Sequence, residues 1–597
     1  MEKFVRAEID FSANRTVIAN SKEDSSIMAS TENTTIPPPK TEFGTSGLAI
    51  LLHSPVGRFA IRTWNHLNRM TKCILPLVHL FMFLATIAIL CAVFFLNRHF
   101  PVWGDEIIML EPAWHRVFMS VWQSSFFMDS MDTVPFAVFY PLHMNLLRLM
   151  LAMFGVSFAI VRGAMLIFGL VPVFALLWFF RRKGFLQSRW EIVQAAYFIA
   201  CFTFFGWAVH IRPEAVLVTV ISLFIFAWAS DHSVLLFLTG VLIPLCGLQW
   251  NVLLLPVAFH WLIFGGRIRK PILVAVALGL SSVVSITAYH ILGMWPSYCH
   301  EAARTDGLDA LHSGYVKLLD ACTHGNFGWL FNQWATTPIL TLCFLFFATL
   351  GILSVTAFHS ASLHRKTVLF LFLSLPSSIL ALGLCGHVYI FYEHVLFGFA
   401  LLGLPVLARP LFRYPLFLLP CILLALYPVK INWHKFSHAY GPRLDALTDA
   451  SWLDDANLEQ ALSNNLAPDD VLLAPDSAWI AARSHCRDAL PLCFAFDLSG
   501  KQQRSITAVL LPEEPSSILY KDGSGVRRVH YAKVMCARFC PLGAAPDTIH
   551  VSPEELLAAI GEHWNCTFTE IPLEQANSSG FIRYRLFRTV FQEVSSV

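Results

Sequence analysis

The run from Cys73 to Leu96 holds 24 residues without an Asp, Glu, Lys or Arg. It is too long for the core of a signal peptide and long enough to cross a hydrocarbon layer of about 30 Å. No water reaches the backbone there, so such a run must fold as a helix, which satisfies its own N–H and C=O groups. Comparable runs recur along most of the chain. Of 597 residues, 56% are hydrophobic and 14% charged, against roughly 25% charged in soluble domains. That spread excludes a soluble globule with one buried core. The 51 Phe and 17 Trp suit lipid-facing surfaces and interfacial belts. A net charge of +2 offers no basic footprint for nucleic acid. The first 45 residues are polar and contain Pro37-Pro38-Pro39; they read as a disordered tail, with no cleavable signal peptide.

Successive spans are expected at 74–96, 158–180, 190–210, 213–229, 233–249, 251–265, 271–293, 334–358, 367–386, 389–408 and 410–430, about eleven in all. With the N-terminus in the cytoplasm behind Arg58, Arg62, Arg69 and Lys72, the alternation puts four clusters on that same side. These are Arg181-Arg182-Lys183, Arg267/Arg269/Lys270, Arg365-Lys366 and Arg409/Arg413, as the positive-inside rule asks. Loops 97–157 and 294–333 and everything after 430 then lie outside. The count needs 135–155 to lie in the interface; Pro135, Pro141 and Arg148 favour that over a crossing.

Three regions are expected: a cytoplasmic N-terminal segment 1–72, a polytopic helical membrane domain 73–430, and an extracytoplasmic α/β domain 431–597. In the last, strands are expected at Val471-Leu472-Leu473-Ala474 and Ala508-Val509-Leu510-Leu511, and helices around 455–466 and 553–563. Asp454-Asp455 reads as a helix-start pair and His485 as a surface histidine. Cys486, Cys493, Cys536, Cys540 and Cys566 are either disulfide-bonded in an oxidising space or free and buried.

Five places could carry chemistry. Pro101-Val102-Trp103-Gly104-Asp105-Glu106 puts two carboxylates just after the first span. They are either a solvated helix start, which acids favour, or a working pair; the apolar, aromatic stretch Ile107–Phe127 that follows suits the membrane surface. His210-Ile211-Arg212-Pro213-Glu214 falls between two spans; Arg212 is either a snorkelling end residue or a planar cation for phosphate. Arg162, four residues into an apolar run, calls for a partner. His387, Tyr389, Tyr392, Glu393 and His394 form an outer-end cluster that an aromatic belt would also explain. Loop 294–333, with Tyr298, His300, Glu301, Arg304, His312, Lys317 and His324, is too long for a simple connector, and its Cys299 and Cys322 could pair.

In their order, these pieces resemble the GT-C superfamily of polyprenyl-phosphate-sugar-dependent glycosyltransferases, nearest the protein O-mannosyltransferase and aminoarabinose (lipid A) transferase branch. The likeness covers roughly 74–430. It rests on Gly104-Asp105-Glu106, Tyr140-Pro141-Leu142, Arg162, His210-Ile211-Arg212-Pro213-Glu214 and Tyr392-Glu393-His394-Val395-Leu396. The chain departs from the branch where Tyr140-Pro141 replaces Pro-Pro and where Glu393-His394 replaces the Arg-Tyr of the late motif. It lacks the Trp-Trp-Asp motif of oligosaccharyltransferase and the His-Pro-Asp-Glu motif of glycolipid-anchor mannosyltransferases. Nothing in 431–597 reads as a β-trefoil, which points to a bacterial enzyme of the inner membrane; in a eukaryote the same topology would place it in the ER membrane.

The resemblance implies inverting transfer of a sugar from a polyprenyl-phosphate donor to a hydroxyl acceptor at the outer face. It implies Asp105 as general base, Glu106 positioning acceptor or metal, and Arg162, Arg212, His210 and His394 on the donor phosphate. Tyr140, His143, Glu214 and Tyr392 would line the substrate, and a divalent cation is a candidate cofactor. One carboxylate suffices, because a single displacement needs one base and no covalent intermediate. A transporter or flippase of a lipid-linked substrate, or a scaffold binding a partner through 431–597, are the other classes. An absent internal repeat counts against the transporter.

Overall fold

In a computed structural model, residues 55–99, 104–120, 122, 140–155, 157–203, 211–264, 269–296, 298–299, 374–375, 377–378, 390–409, 411–412, 414–440, 456–475, 478–492, 495–496, 498–512, 517–521, 527–531, 549–573 and 584–591 are described. The chain divides into two compact units, Met1–Arg69 and Met70–Val597. The described part of the first is the opening of helix α1 (Pro55–His99), whose side chains are described from Cys73 to Arg98.

The helices after α1 are α2 (Gly104–Phe118), α3 (Pro141–Phe154), α4 (Phe158–Arg182), α5 (Arg189–Thr203), α6 (Glu214–Ser230), α7 (Ser233–Leu245), a 3-10 turn Leu248–Leu253, α8 (Leu254–Phe264), α9 (Arg269–Ile291), α10 (Ile390–Leu407) and α11 (Pro415–Tyr440). Among the described residues, three stretches are long and apolar enough to cross a membrane: Cys73–Arg98, Phe158–Arg182 and Arg269–Ile291. Leu77, Leu84, Val171, Trp178, Leu280 and Val283 are exposed on them, a surface that suits hydrocarbon better than water. Glu214–Ser230, Ser233–Leu245, Leu248–Leu262 and Phe417–Leu426 are apolar but shorter. The expected span 334–358, most of 367–386 and most of loop 294–333 lie outside the described residues. Helix α3 has 14 residues, about 21 Å at 1.5 Å per residue, which is short of a crossing. Its exposed side carries Leu149, Met153 and Phe154 beside Arg148.

The helices pack by known devices. Ser157 caps α4 by accepting from the Ile160 N–H. A Cβ on Gly240 of α7 would meet Ala277 of α9 at 2.8 Å, so only glycine lets these helices approach this closely; Ser281 Oγ donates to the Val241 carbonyl at 2.7 Å beside it. At one end of the bundle, Arg409 donates to Glu191 Oε1 at 2.6 Å and to the Phe185 carbonyl at 3.1 Å. Phe179 of α4 meets Phe226 of α6 at 4.5 Å, and Lys270 at the start of α9 bonds the Trp228 carbonyl and pairs with Asp231 at 2.7 Å. The basic groups at 181–183, 269–270 and 409 therefore share one end.

After α11 come α12 (Ala456–Asn465), β1 (Val471–Ala474), α13 (Trp479–His485), β2 (Asp488–Pro491), α14 (Gly500–Ser505), β3 (Ala508–Pro512), β4 (Ser517–Lys521), β5 (Arg527–Tyr531), β6 (Ile549–Val551), α15 (Pro553–Trp564), β7 (Cys566–Ile571) and β8 (Tyr584–Phe591). One sheet has the order β2-β1-β3-β8-β7 and a second β5-β4-β6. β1 is parallel to β2 and β3, whereas β8 pairs antiparallel with β3 and β7. All four residues of β1 are buried, because both sheet faces are covered. Val471 and Leu473 pack with Leu556 and Ile560 of α15. Leu472 and Ala474 belong to a core that also holds Trp479, Leu462 and the side chains of the helical bundle. Ser499 with Gln502 and Ser552 with Glu555 form capping boxes that start α14 and α15.

Side chains of the C-terminal sheet thus pack in one core with those of the helices. Cys486, Cys566 and Cys299 are free thiols, so the disulfide alternative does not hold for them; Cys322, Cys493, Cys536 and Cys540 lie outside the described residues. Burial pushes the Cys486 thiol up to about 12 and the Cys566 thiol up to about 11, which keeps both protonated and unreactive at neutral pH.

Candidate functional site

Three stretches far apart in sequence meet at the end of the bundle opposite the basic groups. Arg162 lies one turn into α4, and twenty residues of helix, roughly 30 Å, separate it from Arg182 at the other end. Its guanidinium grips Glu106 of α2 in a fork: Nε donates to Oε1 at 2.8 Å and Nη2 to Oε2 at 2.5 Å. Glu106 Oε1 also accepts from the Ile211 N–H at 2.8 Å. Arg162 Nη1 donates to the Asn97 carbonyl at 3.4 Å, and Asn97 Nδ2 returns a bond to the Arg162 carbonyl at 3.3 Å. Neither Glu106 nor Arg162 has any exposed surface. A fully buried pair is tolerated only with such complete hydrogen bonding.

Beside it, Arg212 forms a second fork with Glu214, Nε to Oε2 at 2.9 Å and Nη2 to Oε1 at 3.1 Å. Pro213 opens α6 between them, as its fixed φ allows at a helix start. Arg212 keeps 6% of its surface, against none for Arg162, so it is the better placed of the two to touch a ligand. Tyr140 precedes Pro141 at the start of α3, and His143 in the first turn is fully buried. Burial, then the nearby Arg212 charge, pushes His143 down to about 3; it is neutral.

Of the residues expected from sequence, Glu106, Arg162, Arg212, Glu214 and His143 therefore come together. The forks change what two of them can do. Glu106 is held by Arg162 and a backbone N–H, an arrangement suited to bracing α2 against α4 and 211–214; Arg162 is spent on the same brace. Asp105 stands in the first turn of α2, but its side chain lies outside the described residues. The same holds for Tyr392, Glu393 and His394 in the first turns of α10, and His210 lies outside altogether. A Cβ on Gly398 would lie 3.8 Å from Phe202 near the end of α5, which carries the first turns of α10 toward this same end.

Sequence reasoning missed Asn97, and it missed Glu111 and His115, both buried on α2. The signal was present: isolated ionisable residues in an apolar stretch turn inward. Among the described residues, no group of three or more His, Cys, Asp or Glu side chains is arranged to hold a metal ion. His485 stands 3.5 Å from Glu459. No protein-family model matches the chain, and no curated protein matches it.

Proposed function

We propose that the chain is an integral membrane glycosyltransferase that moves a sugar from a polyprenyl-phosphate donor to a hydroxyl acceptor at the outer face of the membrane. The observation that carries this reading is the convergence of Glu106, Arg162, Arg212 and Glu214 into one buried charged cluster, at the opposite end of the bundle from the basic groups. Buried pairs of charged side chains are expensive to keep. At an outer helix end such charges would suit the phosphate of a lipid-linked donor.

In this reading Asp105 takes the acceptor proton as the acceptor oxygen bonds to the anomeric carbon and the carbon–phosphate oxygen bond breaks. The electron pair leaves with the phosphate, which Arg212, with His210 and His394, stabilises. The Glu106–Arg162 fork holds α2 so that Asp105 keeps its place. Tyr140, Glu214 and Tyr392 line the substrate. A one-ended cluster favours this over a transporter, whose polar groups belong near the midplane. The C-terminal sheet would then stand outside the cytoplasm beside the cleft and shape acceptor choice.

The test is transfer of radiolabel from a mixed polyprenyl-phosphate-sugar pool to lipid, glycan and peptide acceptors by the purified chain in nanodiscs, with and without chelator. Transfer that disappears in Asp105→Asn and needs more donor in Arg212→Ala is the expected result. Full turnover in a folded Asp105→Asn protein removes Asp105 as the base, and movement of lipid-linked sugar between leaflets without transfer favours the transporter.

A further inference from the structure

Arg182, Lys183 and Arg189 stand around the short loop that joins α4 to α5, and all three are exposed. The loop itself is tied down. Arg181 Nη1 donates to the Leu186 carbonyl at 3.2 Å and to the Gln187 carbonyl. Arg409 Nη1 donates to Gln187 Oε1 at 2.6 Å, and Gly184, at φ +73°, makes the turn. Arg181 and Arg409 are thereby used. Glu191 is the only Asp or Glu from 158 to 203. Arg409 takes it at 2.6 Å, and the Gln187 N–H donates to it at 2.6 Å as well. Arg182, Lys183 and Arg189 are left with no carboxylate partner among the described residues.

Each of the three cations instead lies over an aromatic ring. Arg182 is 5.4 Å from the Trp178 centroid, Lys183 6.0 Å from that of Phe179 and Arg189 4.9 Å from that of Trp190. Trp190 is stacked in turn on His79 of α1 at 4.7 Å. Trp178 is 62% exposed and ends the apolar exposed stripe of Val171 and Phe174 on α4. Trp belongs at the boundary between hydrocarbon and water, so a cation lying on it sits at headgroup level. The ring attracts the charge but leaves the guanidinium N–H donors unspent, and a planar guanidinium fork matches two oxygens of one phosphate.

We propose that this corner of the bundle binds the phosphate of an anionic phospholipid, Arg182 and Arg189 donating to its oxygens and Lys183 adding charge. Trp178 decides between a lipid and a soluble anion, because an exposed ring continuous with an apolar stripe packs against acyl chains. A zwitterionic headgroup carries its own cation and gains less here. The proposal stands independently of the transferase reading.

Titration of the full chain in detergent with short-chain phosphatidylglycerol tests it, with short-chain phosphatidylcholine and inorganic phosphate as comparison probes. The wild type binds phosphatidylglycerol more tightly than phosphatidylcholine, and added salt narrows the difference. Arg182→Gln and Arg189→Gln each weaken phosphatidylglycerol about fivefold. Trp178→Leu leaves the net charge unchanged and weakens it about threefold, through loss of the ring under Arg182. Arg504→Gln, which removes an exposed cation from α14, leaves the affinity as it was. Thermal unfolding of each variant without lipid shows that it is folded, and the single variants carry the comparison if the double arginine variant does not fold.

Equal affinity of the wild type for the two lipids overturns the proposal, as does undiminished binding in Arg182→Gln and Arg189→Gln. Full affinity in Trp178→Leu, or a loss in Arg504→Gln as large as that in Arg182→Gln, reduces the effect to net charge and overturns the site. Inorganic phosphate that displaces phosphatidylglycerol at equal concentration makes the ligand a soluble anion and overturns the lipid.

Discussion

Arg483 of α13 lays its guanidinium over the Trp114 ring of α2, 4.4 Å from the ring centroid. The same side chain donates to the Cys486 carbonyl and to Met119 Sδ, each at 3.0 Å, and stands 3.7 Å from Asp488 Oδ1. Trp479 meets Trp114 edge-on at 6.0 Å. The C-terminal sheet region thus grips the helix that carries Asp105 and Glu106.

Arg483→Ala is therefore expected to loosen α2 as well as the sheet. The lost stacking and charged hydrogen bond together cost roughly 2 kcal/mol. Arg483→Lys keeps the charge but loses the flat stacking face and fork, and should recover less than half. Thermal unfolding and protease cleavage within 104–120 measure both effects. Equal stability and equal protection in Arg483→Ala would show that the contact holds nothing.

The Glu106–Arg162 fork makes an asymmetric prediction. Removing one partner, as in Arg162→Met, leaves a buried carboxylate without its counter-charge and should cost about 3–5 kcal/mol. Adding Glu106→Gln to that variant removes the stranded charge and should recover a good part of the loss. A double-mutant cycle on unfolding temperature reads the coupling. Additive single losses would mean that the two side chains do not act as a pair.

These contacts mark the limit of what the sequence discloses. Apolar runs placed two of the long helices well, 158–180 as Phe158–Arg182 and 271–293 as Arg269–Ile291, and β1 lies at the expected residues, whereas the expected span 233–249 ends as a helix at Leu245 and gives way to the 3-10 turn Leu248–Leu253. Hydrophobic periodicity is a local signal, so this is where it works. Arg162 in an apolar run announced that it needed a partner. That the partner is Glu106, 56 residues away, depends on the rotation of two helices about their axes, which no local pattern encodes. The Arg483–Trp114 contact is longer-range still. The antiparallel β8 beside the parallel β1–β3 pair follows from chain topology and leaves no trace in the strand's own residues.

Asp470 gives a prediction in pH. Burial alone would raise its carboxyl, but hydrogen bonds from Arg588, the Ala467 N–H and the Thr507 hydroxyl outweigh that and hold it below the usual carboxylate range. The Arg588 bond is 2.6 Å and the Ala467 bond 2.7 Å. A carboxyl depressed in the folded state stabilises the fold above its unfolded pKa, about 3.9, and that contribution disappears as pH falls through the lower folded value. Unfolding temperature should therefore fall more steeply below about pH 4 in the wild type than in Asp470→Asn, with the two curves converging in acid. Parallel curves would mean that the Asp470 network does not couple to folding.

The last prediction concerns which side of the membrane the sheet occupies. The basic groups at 181–183, 269–270 and 409 share one end of the bundle, and short basic segments stay in the cytoplasm. The Glu106–Arg162 cluster is at the other end, and α2 in turn contacts α13 through Trp114 and Trp479. If the basic end is inside, that chain of contacts carries the C-terminal sheet outside with the cluster. Lys501 on α14 is exposed and distant in sequence from every proposed site residue, so Lys501→Cys in a background without other cysteines offers a clean reporter. A membrane-impermeant maleimide should label it in intact cells, or, for a chain in an internal membrane, only in vesicles opened on the lumenal side. A cysteine placed at Lys183, exposed at the other end of α4, should show the opposite pattern. Labelling of both positions from the same side would break the link between the two ends. Labelling of Lys501→Cys only from the cytoplasm would turn the whole bundle over, and with it the face at which Asp105 could meet an outward-facing donor.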